Sequence, residues 1–293
     1  MKARRVVNLL VFLVPSTLIY TLFVMYPSIS GLYYSLTDWD GLSPHYKIIG
    51  LDNFKEIFQD PLFYKVLKNS FLFAVFVVLI KNALALFFAI MLDKKMKMTG
   101  FFRSVYFIPA ILSSIVVAYT WVTIFNPVFG SWQIFFQALG LDTIAKLDLL
   151  GNTSTSLPSV IFVSIWQNMG YAMVIYLAGL QTIPSDLYES AQIDGAGRWK
   201  QFVHITFPLI APALTINMIL STINSLKEFD LVYILTGGGP FDSSQVIGTA
   251  IYKVAFEMNR FGYGIAMSLI LFILIAVISL GQLRYLKKRE VDY

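Results

Sequence analysis

The sequence contains no cysteine and only two histidines, His45 and His204. That excludes a disulfide framework, a zinc knuckle and a thiol nucleophile, and two histidines are too few for a histidine-built metal centre. There is no Gly-x-x-x-x-Gly-Lys-Ser/Thr loop to cradle nucleotide phosphates, no Gly-x-Ser-x-Gly elbow and no His-Glu-x-x-His pair. Charge is scarce as well. Only 13% of residues are charged, against about 25% in a soluble domain, and 57% are hydrophobic. Such a chain is an integral membrane protein. Its net charge of +5 does not mark a nucleic-acid binder, because the basic residues cluster beside apolar segments, where they act as topology signals.

Six apolar runs are long enough to cross a bilayer, for which roughly 20 residues suffice. They are Val6 to Met25, Asn69 to Leu92, Val105 to Phe125, Pro158 to Leu180, Ile210 to Leu226 and Tyr263 to Leu283. The first is too long for the core of a signal peptide and lacks a small-x-small cleavage site, so a retained first helix is expected. Lys2, Arg4 and Arg5 precede it without an acid. Lys94, Lys95, Lys97 and Arg103 stand against Asp93 alone, and Arg284, Lys287, Lys288 and Arg289 follow the last run. Basic residues do not outnumber acids in the intervening loops, so both termini and the Lys94 loop are expected in the cytoplasm. Alternation then puts the loop between the fourth and fifth spans in the cytoplasm too. Pro27 to Lys68, Asn126 to Leu157 and Lys227 to Arg260 are expected outside, the first with a short interfacial helix at Leu51–Phe58 and a turn at Asp38-Trp39-Asp40-Gly41. No internal repeat is evident.

The most polar inner loop, Tyr188 to Pro212, reads as two short helices around a glycine elbow. Pro184 ends the preceding helix and Ser185 is placed to cap the next. Gly195 and Gly197 interrupt it, and Arg198 to Phe207 forms a second helix that Pro208 stops. In Glu189, Ala191, Asp194, Gly195, Ala196, Phe202, Ile205, Pro208 and Pro212 the loop resembles the cytoplasmic EAA loop of ABC-importer permeases, with Ser190 where that family often has Ala. Tyr34–Trp39, Asp60–Phe63, Leu235-Thr236-Gly237-Gly238-Gly239-Pro240 and Phe261–Gly264 resemble its carbohydrate branch, the MalF/UgpA-like permeases.

The resemblance implies an all-α polytopic membrane protein, a six-helix type I ABC importer permease with a MetI-like core. The division expected is a first helix and outer loop (1–68), a five-helix core (69–283) carrying the coupling loop (185–208), and a basic cytoplasmic tail (284–293). The implied partners are a second homologous permease subunit, two ABC ATPase subunits and an extracytoplasmic solute-binding protein. The setting is a bacterial or archaeal cell membrane. This chain itself binds no cofactor, since ATP and Mg belong to the ATPase. Glu189, Ala191, Asp194, Gly195, Ala196 and Arg198 are the implied ATPase-coupling residues. A stand-alone secondary carrier and a permease for glycerol phosphate or another polyol are the alternatives.

Polar residues at bilayer depth are functional candidates by default. The fourth span carries Gln167, Asn168 and Tyr171. Ser221, Asn224, Ser225 and Glu228 of the fifth follow i, i+3, i+4, i+7 and should share one helix face. Amides, hydroxyls and rings suit a saccharide, and the resemblance places a substrate path along these two spans; helix–helix packing explains the same residues equally well. Lys81, about 16 Å from either end of the second span, is too deep to reach water easily and is expected to face protein. The Gly-Gly-Gly-Pro stretch lacks the lysine of a phosphate loop; it is either a plain reversing loop or part of the outer surface that meets a binding protein.

Overall fold

The computed structural model describes Val11, residues 13–93 and residues 98–290. Lys2, Arg4, Arg5 and the Lys94–Lys97 run lie outside the described residues. Among the described residues all regular structure is helical, apart from one isolated bridge between Thr37 and Ile48. The spanning helices are α1 (Leu13–Tyr34), α3 (Pro61–Asp93), the pair α4 (Thr99–Ile111) and α5 (Ser114–Ile124), α8 (Ser156–Leu180), the pair α10 (Arg198–Leu209) and α11 (Ala211–Leu226), and α14 (Phe261–Lys287). Four of these are unbroken, and the two bent pairs bring the number to six. Shorter helices fill the connections: α2 (Asp52–Gln59), α6 (Ser131–Ala138), α7 (Asp142–Ala145), α9 (Ser185–Ile193), α12 (Asp230–Thr236) and α13 (Ile247–Tyr252).

Three features correct the sequence reading. The first concerns span ends. α3 begins at Pro61, eight residues before the expected Asn69, and at 33 residues it is about 50 Å long. Hydrophobicity marks where hydrocarbon ends, whereas the backbone ladder runs on past it, carrying Lys65 and Lys68 to the water. α1 likewise continues to Tyr34, through Pro27, which had been read as the start of a loop.

The second feature explains how. Pro27 and Pro208 do not stop their helices. Each follows a widened π-turn, Thr21–Met25 and Phe202–Thr206, closed by hydrogen bonds from Tyr26 N–H to Thr21 O and from Phe207 N–H to Phe202 O. A proline lacks the N–H its turn needs and its ring collides with the carbonyl four residues back. One extra residue in the preceding turn relieves both faults.

The third is the expected single helix Val105–Phe125. It breaks after Pro109, with Leu112 extended at φ −69° and ψ 143°, and α4 and α5 meet at 97°. α10 and α11 meet at 66° over Ile210.

The chain groups by contact into two units, each described by itself. The first comprises the residues up to Phe63 with Ile251–Leu271. There Asn53 donates from Nδ2 to both Ser35 O and Thr37 O at 2.8 Å, and the N–H of Gly262 bonds Trp39 O at 2.9 Å. Arg260 grips Glu56 with both terminal nitrogens, at 2.8 and 2.6 Å. That guanidinium holds the Glu56 carboxyl below the usual glutamate range, against the small opposing effect of burial. The turn expected at Asp38–Gly41 lies two residues further on, at Asp40–Ser43, where Asp40 Oδ1 accepts from the N–H groups of Leu42 and Ser43.

The second unit, Tyr64–Ala250 with Phe272–Tyr293, has two apolar cores. Phe73, Val77, Val117, Val160, Val163, Leu231 and Val232 form one, and Ala85, Ala89, Met173, Tyr176, Leu177 and Ile210 the other. α8 and α4 approach closely at Gly170, where an added Cβ would lie 2.0 Å from the Tyr106 carbonyl oxygen.

Gly170→Ala should therefore cost about 1–3 kcal/mol through overpacking, read as a lower unfolding temperature in detergent. Gly100→Ala, with nothing within 4 Å of its Cβ, should leave that temperature unchanged or raise it. Equal unfolding temperatures for the two variants would contradict the packing described.

Candidate coupling loop and polar path

The coupling loop folds as a helical hairpin. Pro184, extended at φ −61° and ψ 134°, precedes α9. Ser185 does not cap it, because the serine already lies inside the helix and its hydroxyl bonds Asp186 Oδ1 at 3.3 Å. Asp194 ends α9, and Gly195 turns the chain at φ +73°, where an L side chain is strained but an added Cβ would meet no atom within 4 Å. Gly197, at φ −66° and ψ 164°, needs no glycine. The elbow thus depends on the conformational freedom of Gly195 and not on lack of space within the chain.

The two arms are tied together. Ala196 N–H bonds Ala191 O at 2.8 Å, Gln201 donates from Nε2 to Ala196 O at 2.8 Å, and the Tyr188 and Thr206 hydroxyls pair at 2.9 Å. Ala191 and Ala196 are half-buried in this framework, while Glu189, Asp194 and Arg198 are exposed. The hairpin also displays two large apolar side chains: Ile193 is 87% and Trp199 75% exposed, one on each arm. Sequence reading had passed over both in favour of charged and small residues. Their signal was an aliphatic and an aromatic within four residues of the elbow, in an otherwise polar stretch.

The polar candidates separate by burial. On α8, Gln167 is buried and donates from Nε2 to Leu112 O at 3.2 Å, across the α4–α5 break, while its Oε1 is buried without a partner. Asn168 is half-buried and bonds Ser164 O of its own helix, whereas Tyr171 is 53% exposed. On α11, Ser221 and Ser225 are buried and Asn224 is exposed. The expected stripe loses its last member: α11 ends at Leu226, and Glu228 lies past it, half-buried, accepting the N–H of Leu231 at 3.3 Å at the start of α12. Tyr171 and Asn224 are thus the two candidates that present polar or aromatic surface outward.

Sequence reading missed Asn82 and Tyr176. Tyr176 OH donates to Asn82 Oδ1 at 2.8 Å, and Asn82 Nδ2 donates to Ser221 Oγ at 3.1 Å, so α3, α8 and α11 meet at one buried amide. The available signal was a second polar residue beside Lys81 deep in an apolar run. Lys81 itself is buried, with the Glu228 carboxylate in Coulombic reach. The segment that follows the Gly-Gly-Gly-Pro stretch is clamped, since Asn69 Nδ2 approaches the carbonyls of Asp242, Ser243 and Gln245 at 3.0–3.2 Å.

Residues 81–291 match the profile of the binding-protein-dependent transport system inner membrane component family. The chain belongs to this family. As a permease of this family it is a multi-pass membrane component of an ABC transporter and not an enzyme. It is 39% identical to the probable ABC transporter permease protein YurN of Bacillus subtilis (strain 168), over 94% of each chain. It is 36% identical to the probable starch degradation products transport system permease protein AmyD of Thermoanaerobacterium thermosulfurigenes, over 96% of this chain and 94% of that one. Among solved structures it resembles a bacterial alginate ABC transporter in complex with an alginate pentasaccharide-bound periplasmic protein. The TM-score there is 0.82 at 25% identity, covering 97% of this chain and 94% of that one.

For this permease the elbow geometry separates two glycines. Gly195→Val should strain the left-handed residue by about 1–2 kcal/mol and speed proteolytic nicking of the loop by about tenfold, while Gly197→Ala leaves the nicking rate unchanged. A wild-type nicking rate in Gly195→Val would remove the elbow from the account.

Proposed function

We propose that this permease forms half of the translocation pathway of an ATP-driven importer for a neutral sugar or oligosaccharide. A second, homologous permease completes the pathway, two ABC ATPase subunits supply the energy, and an extracytoplasmic binding protein delivers the substrate. Both termini and the 185–208 hairpin face the cytoplasm. The reading is carried by the hairpin: a pre-tied lever that offers Ile193 and Trp199 to a partner within a rim of Glu189, Asp194 and Arg198. Exposed apolar anchors with a polar rim are the make-up of a docking site, and tryptophan is among the residues that most often dominate binding energy.

Closure of the ATPase pair would push on this hairpin and move α8 and α11, which flank it in sequence. Those helices present Tyr171 and Asn224, a ring and an amide suited to the apolar face and the hydroxyls of a sugar. An anionic substrate would call for cationic groups beside them. Lys81, the one described cation deep in the spans, is buried within the chain instead, which favours a neutral saccharide over glycerol phosphate. The carbohydrate named for AmyD points to the same substrate class.

Mass spectrometry of the proteins that copurify from mild detergent tests the assembly. An ABC ATPase and a second permease are expected with the chain. A chain isolated alone that still transports when reconstituted alone would overturn the proposal in favour of a secondary carrier.

A further inference from the structure

Asn82 lies outside the coupling loop and off the exposed polar path, yet its hydrogen bonds join three spanning helices. Its Oδ1 accepts from Tyr176 OH on α8 at 2.8 Å, and its Nδ2 donates to Ser221 Oγ on α11 at 3.1 Å and to Val78 O on α3 at 2.7 Å. Asn82, Tyr176 and Ser221 are 6%, 1% and 2% exposed. A second tie lies further along the same helix pair, where Asn217 of α11 donates from Nδ2 to Ala172 O of α8 at 3.0 Å. At the loop end of that pair, an added Cβ at Gly179 would sit 2.7 Å from Ala213 Cβ. α8 enters the coupling hairpin and α11 leaves it, so this pair is tied at several points along its length, and Asn82 hydrogen-bonds α3 to both members.

We propose that Asn82 is a positioning residue for transport, one that makes α3 travel with α8 and α11 when the coupling hairpin moves. The physical reason is the cost of the alternative. Sliding α3 along the pair would leave a phenol, an amide and a hydroxyl unpaired in an apolar interior with no water to replace the lost bonds. The ties thus give α3 one register against both helices. Ser221 also changes role: its hydroxyl is committed to Asn82, so it fixes the rotation of α11 and with it the direction in which Asn224 points. The inference rests on the importer reading above.

The absence of cysteine gives a clean test. Leu220, exposed on α11 one turn before Asn224, is changed to cysteine in the full complex in lipid nanodiscs, and its reaction rate with a maleimide is measured without nucleotide and with MgATP plus orthovanadate. The wild-type background should show a rate change of about tenfold between the two conditions. With Asn82→Leu the change should shrink to under about twofold, while ATP hydrolysis measured without vanadate is retained. Tyr176→Phe and Ser221→Ala, which each leave Asn82 one cross-helix partner, should fall between and carry the test if Asn82→Leu fails to assemble. A full wild-type change in Asn82→Leu, or in both single-bond variants, would overturn the role of Asn82. Hydrolysis lost in step with the labelling change would make Asn82 merely structural. A wild-type complex with neither hydrolysis nor a labelling change would remove the importer reading itself.

Discussion

Every break in a backbone that crosses hydrocarbon leaves N–H and C=O groups that no water can satisfy, and the rest of this structure follows from how those groups are paired. The α4–α5 bend frees Leu112 O, and Gln167 reaches across from α8 to take it. Pro27 and Pro208 each remove a donor, and a π-turn before each proline absorbs the loss. A polar side chain in the spans is therefore first a device for keeping a bent backbone viable. Among the polar candidates of the fourth and fifth spans, Tyr171 and Asn224 are the ones left exposed once that demand is met.

The same economy shapes the coupling loop. Its backbone and polar side chains are used up in tying one arm to the other through Ala191, Ala196, Gln201, Tyr188 and Thr206. What remains on its surface is charge at Glu189, Asp194 and Arg198 and apolar area at Ile193 and Trp199. A hairpin braced in this way would lose little entropy on docking, which is what the proposed lever between a partner and α8 and α11 requires. The buried Asn82–Tyr176–Ser221 contact adds α3 to that pair.

Much of this was legible in the residues. Composition and the apolar runs marked a polytopic helical protein, and the Glu189–Pro212 pattern marked the stretch that folds as a two-helix hairpin. The Leu51–Phe58 helix is found one residue on, at Asp52–Gln59, the turn read at Asp38–Gly41 closes at Asp40–Ser43, and Lys81 is buried. The misses share a cause. Hydropathy reports which residues lie in hydrocarbon, but not where hydrogen bonding stops, so α3 was begun at Asn69 instead of Pro61. The end of an apolar run closed the first helix at Met25, just before Pro27, and the proline rule stopped another at Pro208; the compensating π-turns depend on backbone geometry that no residue pattern encodes. The i, i+3, i+4, i+7 stripe assumed that α11 continues to Glu228, whereas it ends at Leu226. Asn82 offered one signal, its place beside Lys81 deep in an apolar run, but its cross-helix partners are 94 and 139 positions away and no local pattern names them.

The central claim is that the Gly195 hairpin is a cytoplasmic docking element. The measurement that tests it most directly is the accessibility of a single cysteine at Ile193, in a chain that has none of its own. A membrane-impermeant maleimide applied to inverted membrane vesicles and to intact cells separates the two sides. The account predicts rapid labelling in inverted vesicles stripped of peripheral protein, slow labelling when the ATPase is left in place, and none from outside intact cells. Labelling from outside intact cells, or a rate indifferent to removal of the ATPase, would contradict it.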